Sequence, residues 1–335
     1  MGEQVSSHHF SDLTANEVSN LWSSYLKNSM EQRLFEYFYA SCEDDQTRKI
    51  ASRIIEHAKS TLKELDTIFD HENLSTPHAF TEQDVTADAH KVFSDTFILY
   101  FCHDITMLSM STYPSALSDC SRPDIREFFQ KRIEAFLSLQ NDVINVMLEK
   151  GVYLKPAQLE MENEVDFVRS KKYLSGLFTG ARPVNAPEIA NLTRISHRAQ
   201  FSKMVFVTFH KLAHKVELKE HFSQGRNGIE NVLESLSEVL EKENIPLSAS
   251  GDFKISPVEM SPFSDRLMLF FVNTCLGMFC FQMVSQALNS TLRSDIVVKL
   301  TKISTKMRKY YSAGLLLAIK EGWFEQPPNP VDHKV

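Results

Sequence analysis

Several features are scarce in this 335-residue sequence, and each scarcity argues against a class of protein. Only 10 glycines and 12 prolines occur, which disfavours turn-rich β architectures and favours long helices. Five cysteines form no CxxC pair, so we expect neither a disulfide framework nor a zinc knuckle, and a reducing compartment is favoured. No basic run exceeds a pair and the net charge is -7, so nucleic-acid binding is not expected. The first residues lack the cationic and apolar regions of a signal peptide.

An internal duplication organises what is present. The hydrophobic content of 43% and charged content of 24% are those of a globular chain, and the length suggests two domains of roughly 150 residues. Gly151 and Gly322 end similar blocks 171 residues apart. Arg122-Pro123-Asp124-Ile125 returns at the same offset as Arg293-Ser294-Asp295-Ile296, whereas Phe93-Ser94-Asp95 returns 170 residues later as Phe263-Ser264-Asp265. Repeat 2 therefore regains one residue between Asp265 and Ala287, the echo of Ala116.

Each repeat shows the pattern of four helices with one long crossover, so the sequence predicts an all-α fold of two tandem four-helix bundles. The predicted domains are residues 13–156 and 184–330, joined by an ordered linker, residues 157–183. In repeat 1 we predict four helices. The first runs from its N-cap Thr14 to about Glu43, and the second, which an Asp of the Glu43-Asp44-Asp45 break can cap, reaches about Phe69. The third has Ser94 as its N-cap, and the fourth runs from about Pro123 until Gly151 stops it. Pro114 should kink the third helix or end its regular part. The crossovers, roughly 70–93 and 242–263, are expected to be ordered straps.

The linker is partly apolar and poor in glycine and serine. We therefore expect it to hold a short helix around 165–177 and to pack between the bundles. Trp22 and Trp323 are further candidates for packing the bundles together.

One stretch approaches the length of a membrane span. Residues 267–284 contain only Asn273, Thr274 and Gln282 as polar side chains. The counterpart in repeat 1 carries His103-Asp104 at mid-length. Because one copy of a duplicated fold would hardly span a bilayer while the other does not, we expect a buried central helix, with His103-Asp104 forming a core or interface hydrogen bond or a polar pocket.

The sharpest chemical hypothesis for such bundles is a carboxylate-bridged dimetal site, which needs Glu-x-x-His motifs on two helices. No Glu-x-x-His occurs. His210, His214, Glu217 and His221 would form a zinc face only on one continuous helix, and their repeat-1 counterparts straddle the Glu43-Asp44-Asp45 break, so we favour solvated side chains around a turn. We assign no catalytic, cofactor-binding or metal-binding residues and expect no cofactor.

Several of these segments resemble a known family. They are the Phe-Ser-Asp and Arg-x-Asp-Ile helix starts, the end at Glu321–Pro328, and Tyr173–Phe178 leading into Arg182–Ile189. Together they resemble a duplicated domain-of-unknown-function family of spore-forming Gram-positive bacteria, often labelled spore-coat-like. The resemblance implies a ferritin-like four-helix bundle, present twice, in a cytoplasmic or spore-associated protein, and it implies no established activity.

We therefore predict a structural or interaction protein without catalysis, whose candidate partners are other coat or cellular proteins. The alternative is a ferritin-like metal-binding or small-molecule-binding protein that uses Gln32, Glu36, His57 and His103. A third hypothesis, a carrier of lipids or other hydrophobes, requires a dry cavity beside residues 267–284. The sequence does not determine whether such a cavity exists, whether His57 or His103 lines a pocket, or the oligomeric state.

Overall fold

The structure is a computed structural model that describes residues 12–86, 89–156, 158, 160, 164, 166–177, 180–247 and 260–329. Eight long helices make up most of these residues: α1 (Ala15–Ser41), α2 (Asp45–His71), α3 (Asp95–Asp119), α4 (Pro123–Glu149), α5 (Ala186–Leu212), α6 (Val216–Lys242), α7 (Asp265–Ser290) and α8 (Ser294–Lys320). Helices α1–α4 form the first bundle and α5–α8 the second. The predicted all-α, duplicated fold is confirmed.

The helix starts follow from capping side chains that recur in both repeats. Thr14 and Glu17 form a capping box at α1, and Asn185 and Glu188 form the equivalent one at α5. The Glu17 carboxylate also accepts hydrogen bonds from the backbone N–H groups of Ser121 and Arg122, each 2.8 Å long, where α4 begins. Although burial raises the pKa of Glu17, these hydrogen bonds lower it to about 2. One carboxylate thus fixes the starts of two helices.

Helix ends agree with the sequence in part. Gly151 has a φ of 66°, the left-handed conformation expected after the end of α4. Helix α3, in contrast, continues through Pro114 to Asp119, so Pro114 does not end it.

The one-residue difference between the repeats is located inside α7. Helix α3 has 25 residues and α7 has 26, and the segment Phe271–Leu276 of α7 is a π-helix. A π-helical turn accommodates one extra residue within an α-helix. The change of offset from 170 to 171 therefore corresponds to this turn, and both ends of α7 stay in register with α3.

The described part of the first crossover, residues 72–86 and 89–94, is ordered as predicted. It contains a 3₁₀ turn, Glu82–Asp84, and the buried side chains of Ala79, Phe80 and Val92. It reaches the second bundle through an antiparallel bridge between Val85 and Phe263. Residues 248–259 of the second crossover lie outside the described residues.

The linker does not behave as predicted. Among its described residues only Lys171–Leu174 are helical, as a single 3₁₀ turn, so the predicted helix over 165–177 is wrong. Phe167 is 79% exposed and Leu177 is 49% exposed. The described apolar side chains of the linker therefore do not pack between the bundles, because the helices themselves already fill that interface.

Equivalent residues of the two repeats meet at the interface between the bundles. Phe93 contacts Phe263 at 6.1 Å between ring centroids, and Phe101 contacts Phe271 at 5.4 Å. Ser111 Oγ donates a hydrogen bond to Gln282 Oε1, its equivalent 171 residues later. Contacts between equivalent residues are the signature of a two-fold axis. The bundles are therefore related by a pseudo-two-fold axis along α3 and α7, and the buried apolar side chains of both form one continuous core.

Candidate functional site

The histidine cluster of the second repeat is divided by a helix break. Helix α5 ends at Leu212 and α6 begins at Val216, so the residues do not share one helical face. His210 Nδ1 lies 2.8 Å from the backbone oxygen of Lys219, and His214 lies against Asp265. His221 is buried rather than solvated and stacks on Tyr310 at 4.3 Å. The prediction of a turn was correct, but the environment predicted for His221 was wrong.

The four polar residues named for the first bundle are not brought together. Gln32 donates a hydrogen bond of 2.9 Å to Glu36, which also pairs with Arg33. His57 packs on Phe136 at 5.7 Å, and His103 packs on Tyr153 at 5.9 Å. Burial, together with the positive charge of Arg198, lowers the pKa of His103 to about 4. Within the described residues, no group of three or more His, Cys, Asp or Glu side chains could hold a metal ion.

Each bundle also buries a cation at the same position of its first helix, Lys27 in α1 and Arg198 in α5, and each of these two pairs with one carboxylate. In the first bundle Lys27 and Glu31 of α1 form an ion pair of 2.8 Å, in which neither side chain is more than 7% exposed. Although burial lowers the pKa of Lys27, the attraction of Glu31 raises it above its ordinary value. Lys27 also donates a hydrogen bond of 2.8 Å to Ser109.

The second buried cation is neutralised across the interface. Arg198 of α5, equivalent to Lys27, forms an ion pair with Asp104 of the first bundle, and both side chains are almost fully buried. The residue equivalent to Glu31 is Ser202, so α5 offers Arg198 no carboxylate at that position, although the guanidinium group lies over the Phe201 and Phe279 rings of its own bundle. The expectation of a polar interface contact at His103-Asp104 is thereby confirmed for Asp104.

The two bundles differ most in their last helix. Helix α4 buries eight residues, including Phe128, Arg132 and Phe136, whereas α8 buries four. The equivalents of these three are Lys299, Ile303 and Met307. In the first bundle Arg132 lies over the Phe128 ring at 3.8 Å, and Phe136 meets His57. These side chains fill the space between α2 and α4 that their smaller or more polar equivalents leave open in the second bundle.

Two glycines on α6 widen the same space. Gly225 and Gly228 occupy the positions of Ile54 and His57. A Cβ atom on Gly225 would lie 2.6 Å from both the Phe206 ring and the Tyr310 hydroxyl oxygen, whereas a Cβ atom on Gly228 would meet nothing within 4 Å. Each glycine inside a helix costs about 1 kcal/mol relative to alanine. Gly225 thus permits a close approach of aromatic rings, and Gly228 borders open space.

The open space is a cleft of about 450 Å³ between α5, α6, α7 and α8. Its inner wall is mostly apolar, and its rim carries amides, a hydroxyl group and lysines. The apolar and glycine lining residues are Ile195, Ala199, Phe206, Gly225, Gly228, Ile229, Val232, Met283, Val284, Ile303, Met307 and Ala313. Cys280, Tyr310, Tyr311 and Arg198 complete the wall, and Gln224, Asn231, Ser235, Lys299, Lys302, Lys306 and Lys309 complete the lining.

The cleft lies beside the apolar stretch 267–284, as the carrier hypothesis required, since Cys280, Met283 and Val284 belong to that stretch. Neither His57 nor His103 lines it. No single residue of the sequence signals the cleft. The cleft could have been predicted by comparing α2 with α6 and α4 with α8 residue by residue. Large side chains of repeat 1 are replaced by glycine, isoleucine and methionine at the equivalent positions of repeat 2.

Helix α7 is the one helix among the described residues that is long and apolar enough to cross a membrane by length and composition. In the structure 67% of its most apolar window is buried inside the protein. A buried central helix passes the same test of length and hydropathy.

Comparisons with known proteins give a family and a weak structural similarity. A family model described as "Protein of unknown function (DUF3231)" matches residues 6–165 and again residues 173–335. A crystal structure from Bacillus halodurans C-125, described as a "putative spore coat protein", is 15% identical in sequence, with a TM-score of 0.41. The match covers 45% of this chain and 98% of that one. A search of curated proteins found no match.

Proposed function

This chain belongs to the DUF3231 family, whose domain it carries twice, and from that premise we propose that the two copies have divided their roles. The second bundle binds an apolar small molecule in its cleft, without catalysis, and the first bundle, in which larger side chains occupy the equivalent positions, supports it. The proposal depends on the cleft of about 450 Å³ in the second bundle. That volume lies within the roughly 300–1,000 Å³ typical of small-molecule sites.

Binding without catalysis is supported by the chemistry of the wall. No imidazole or carboxylate is among the described residues that line the cleft. These are the groups that most often transfer protons in enzymes. A cytoplasmic or spore-associated location is part of the proposal, and the described cysteines, all five of which are free thiols, agree with a reducing environment.

A fluorescent apolar probe, N-phenyl-1-naphthylamine, tests the proposal on the full untagged chain. We expect one binding site per chain and a blue-shifted emission. Gly228→Leu should abolish binding while keeping the fold, because its side chain would enter open space in the cleft and leucine favours helices more than glycine does.

Asn227→Leu is the matched control, since it adds the same side chain to an exposed neighbouring position that does not line the cleft. An unchanged affinity of Gly228→Leu, or no binding by the unmodified protein, would contradict the proposal.

A structural or interaction role, which the sequence resemblance implies, is the second candidate. Leu315, Leu316 and Ile319 on α8 are 41%, 67% and 54% exposed, and they occupy neighbouring positions on one helical face. We propose a second copy of the chain as the occupant of this face. Sedimentation over a range of concentrations should show self-association that Leu316→Glu weakens; a monomer at every concentration would rule this role out.

A further inference from the structure

We propose that the ligand of the cleft is a single-chain anionic amphiphile, with an aliphatic tail in the bundle interior and a carboxylate or phosphate head among the lysines of α8. This inference rests on the proposed function and adds the chemical class of the ligand. It depends on the charge at the rim, the neutrality of the interior and the shape of the cleft.

The rim of the cleft on α8 is a row of cations. Lys299, Lys302, Lys306 and Lys309 recur at intervals of three and four residues, so they lie along one side of the helix. Lys299 pairs with Glu238 of α6 at 2.8 Å. Lys302, Lys306 and Lys309 are exposed. In the described part of the chain, no carboxylate oxygen lies within 4.0 Å of their ammonium groups.

Among the described residues, α6 offsets this charge at one lysine, where Glu238 pairs with Lys299. The polar side chains of α6 that line the cleft are Gln224, Asn231 and Ser235, all of them uncharged. On α8 itself no Asp or Glu occurs between Asp295 and the helix end. An anion at the mouth would therefore meet Lys302, Lys306 and Lys309 without a competing carboxylate.

The interior offers no free charge to a ligand. Arg198, which lines the inner wall, is already neutralised by Asp104. The remaining inner wall carries the uncharged thiol of Cys280 and the rings of Tyr310 and Tyr311, and is otherwise mostly aliphatic, with Ile195, Ala199, Val232, Met283 and Val284. An aliphatic chain satisfies such a wall, whereas a charged group placed there would lose its hydration without gaining a partner. The tail therefore enters and the head stays at the rim.

The open cleft and the row of lysines occur in the same repeat, and among the described residues the other repeat has neither at the equivalent positions. Helix α4 carries Glu127, Glu134 and Asp142 among its basic residues, and Lys131, the equivalent of Lys302, pairs with Glu127 at 2.8 Å. The equivalents of those three carboxylates on α8 are Val298, Thr305 and Ala313. The copy with the open cleft is thus the copy whose last helix carries no carboxylate beyond Asp295 in its first turn, which favours the binding of an anion at the mouth.

Displacement of N-phenyl-1-naphthylamine from the full chain provides the test. Decanoate and decyl phosphate supply the two anionic heads, and decanol and decylammonium supply the same tail with a neutral and a cationic head. We expect the anions to bind at least about tenfold more tightly than decanol, with a preference that weakens as salt rises. Each methylene removed from the tail should weaken binding roughly fourfold, following the transfer free energy of a buried methylene. Octanoate, which is two methylenes shorter than decanoate, should therefore show this loss twice.

The variant Lys302→Met/Lys306→Met/Lys309→Met should keep probe binding and lose the preference for anions. The control Lys49→Met/Lys63→Met/Lys131→Met removes three exposed lysines from the first bundle and gives the same net charge. It should keep the preference. A stronger response to either anionic head supports the inference and identifies the head group.

Equal affinity for all four ligands, or an anion preference unchanged by the α8 triple variant, would overturn the inference while probe binding still supports the proposed function. Absence of probe binding would overturn both.

Discussion

At the scale of single residues, the two buried cations show how the duplicated interiors diverged. Lys27 has its carboxylate on its own helix, and Arg198 has its carboxylate on the other bundle. The position equivalent to Asp104 in the second repeat falls inside the π-helical turn, at Thr274 or Cys275, and neither side chain is a carboxylate. Each cation therefore keeps one carboxylate, but by a different route, and the second bundle depends on the first for charge neutralisation.

This dependence predicts a measurable coupling between Asp104 and Arg198. Asp104→Leu leaves a buried guanidinium without a partner and should lower the free energy of unfolding by roughly 3–5 kcal/mol, and Arg198→Met should cost a similar amount. The double variant should recover most of the loss, because it leaves no buried charge. Denaturant titrations of the four proteins measure the coupling, and additive losses would show that the pair does not interact.

The burial of His221 predicts how the stability of the protein changes at acid pH. Burial lowers the pKa of His221 to about 4, below the 6.5 of an exposed imidazole. The unfolded chain then binds a proton that the folded chain does not, so stability is complete above pH 6.5 and is lost as the pH falls towards 4. His221→Phe keeps a ring against Tyr310 and should reduce the slope of stability against pH in this window by about 1.4 kcal/mol per pH unit at most.

His103 contributes its own acid sensitivity in the same window, since its pKa is also lowered to about 4, so the variant should retain part of the slope. Unfolding titrations at pH 7, 6, 5 and 4.5 test this prediction. A slope that His221→Phe leaves unchanged would mean that His221 accepts a proton in the folded state.

At the scale of secondary-structure elements, local chemistry made helix starts predictable and left other features out of reach. Thr14 and Ser94 each cap the helix they were expected to cap, and of the two aspartates in the Glu43-Asp44-Asp45 break it is Asp44 that caps α2, because a capping side chain acts within three residues. The helix predicted in the linker was wrong because the apolar residues of the linker do not show, in the sequence alone, that the helices already fill the interface between the bundles. Pro114 lies inside α3, where surrounding packing outweighs the local preference.

The π-turn of α7 predicts an unusual tolerance to deletion. Removing Asn273 should leave a folded protein, because both halves of α7 would still align with the corresponding halves of α3. Deleting Met283 instead would rotate the residues that follow it by about 100° around the helix and remove Val284 and Ala287 from the core. Thermal unfolding by circular dichroism distinguishes the two, and equal damage would contradict the assignment of the extra residue to the turn.

At the scale of the whole molecule, the chain resembles a two-fold dimer whose halves are covalently joined. The internal duplication and the two four-helix bundles could be predicted from the sequence. The continuous core and the cleft could not, because each depends on which faces of the repeats meet and on how far α8 packs inward. Phe93 and Phe101 read as core residues of one bundle, yet they contact their own equivalents in the other.

The pseudo-two-fold axis predicts that neither half of the chain pairs well with a copy of itself. In a pair of first halves, residues 13–156, each Asp104 would face a Lys27 that Glu31 already neutralises, so one buried carboxylate per half would lack a cation. In a pair of second halves, residues 184–330, Arg198 would lack its carboxylate. We expect the two halves to associate with each other when mixed and neither to form a stable dimer alone. Sedimentation of each half and of the mixture measures this, and a stable dimer of either half alone would contradict the role given to Asp104.

The central claim is that one copy of a duplicated bundle keeps an open apolar cleft that the other copy fills. Crystals of the full chain soaked with 10-bromodecanoate test it directly through the anomalous signal of the terminal bromine. We predict one bromine site per chain beside Met283 and Val284, with the carboxylate towards Lys306, and none between α2 and α4 of the first bundle. Bromine sites in both bundles, or no site within the second, would contradict the claim.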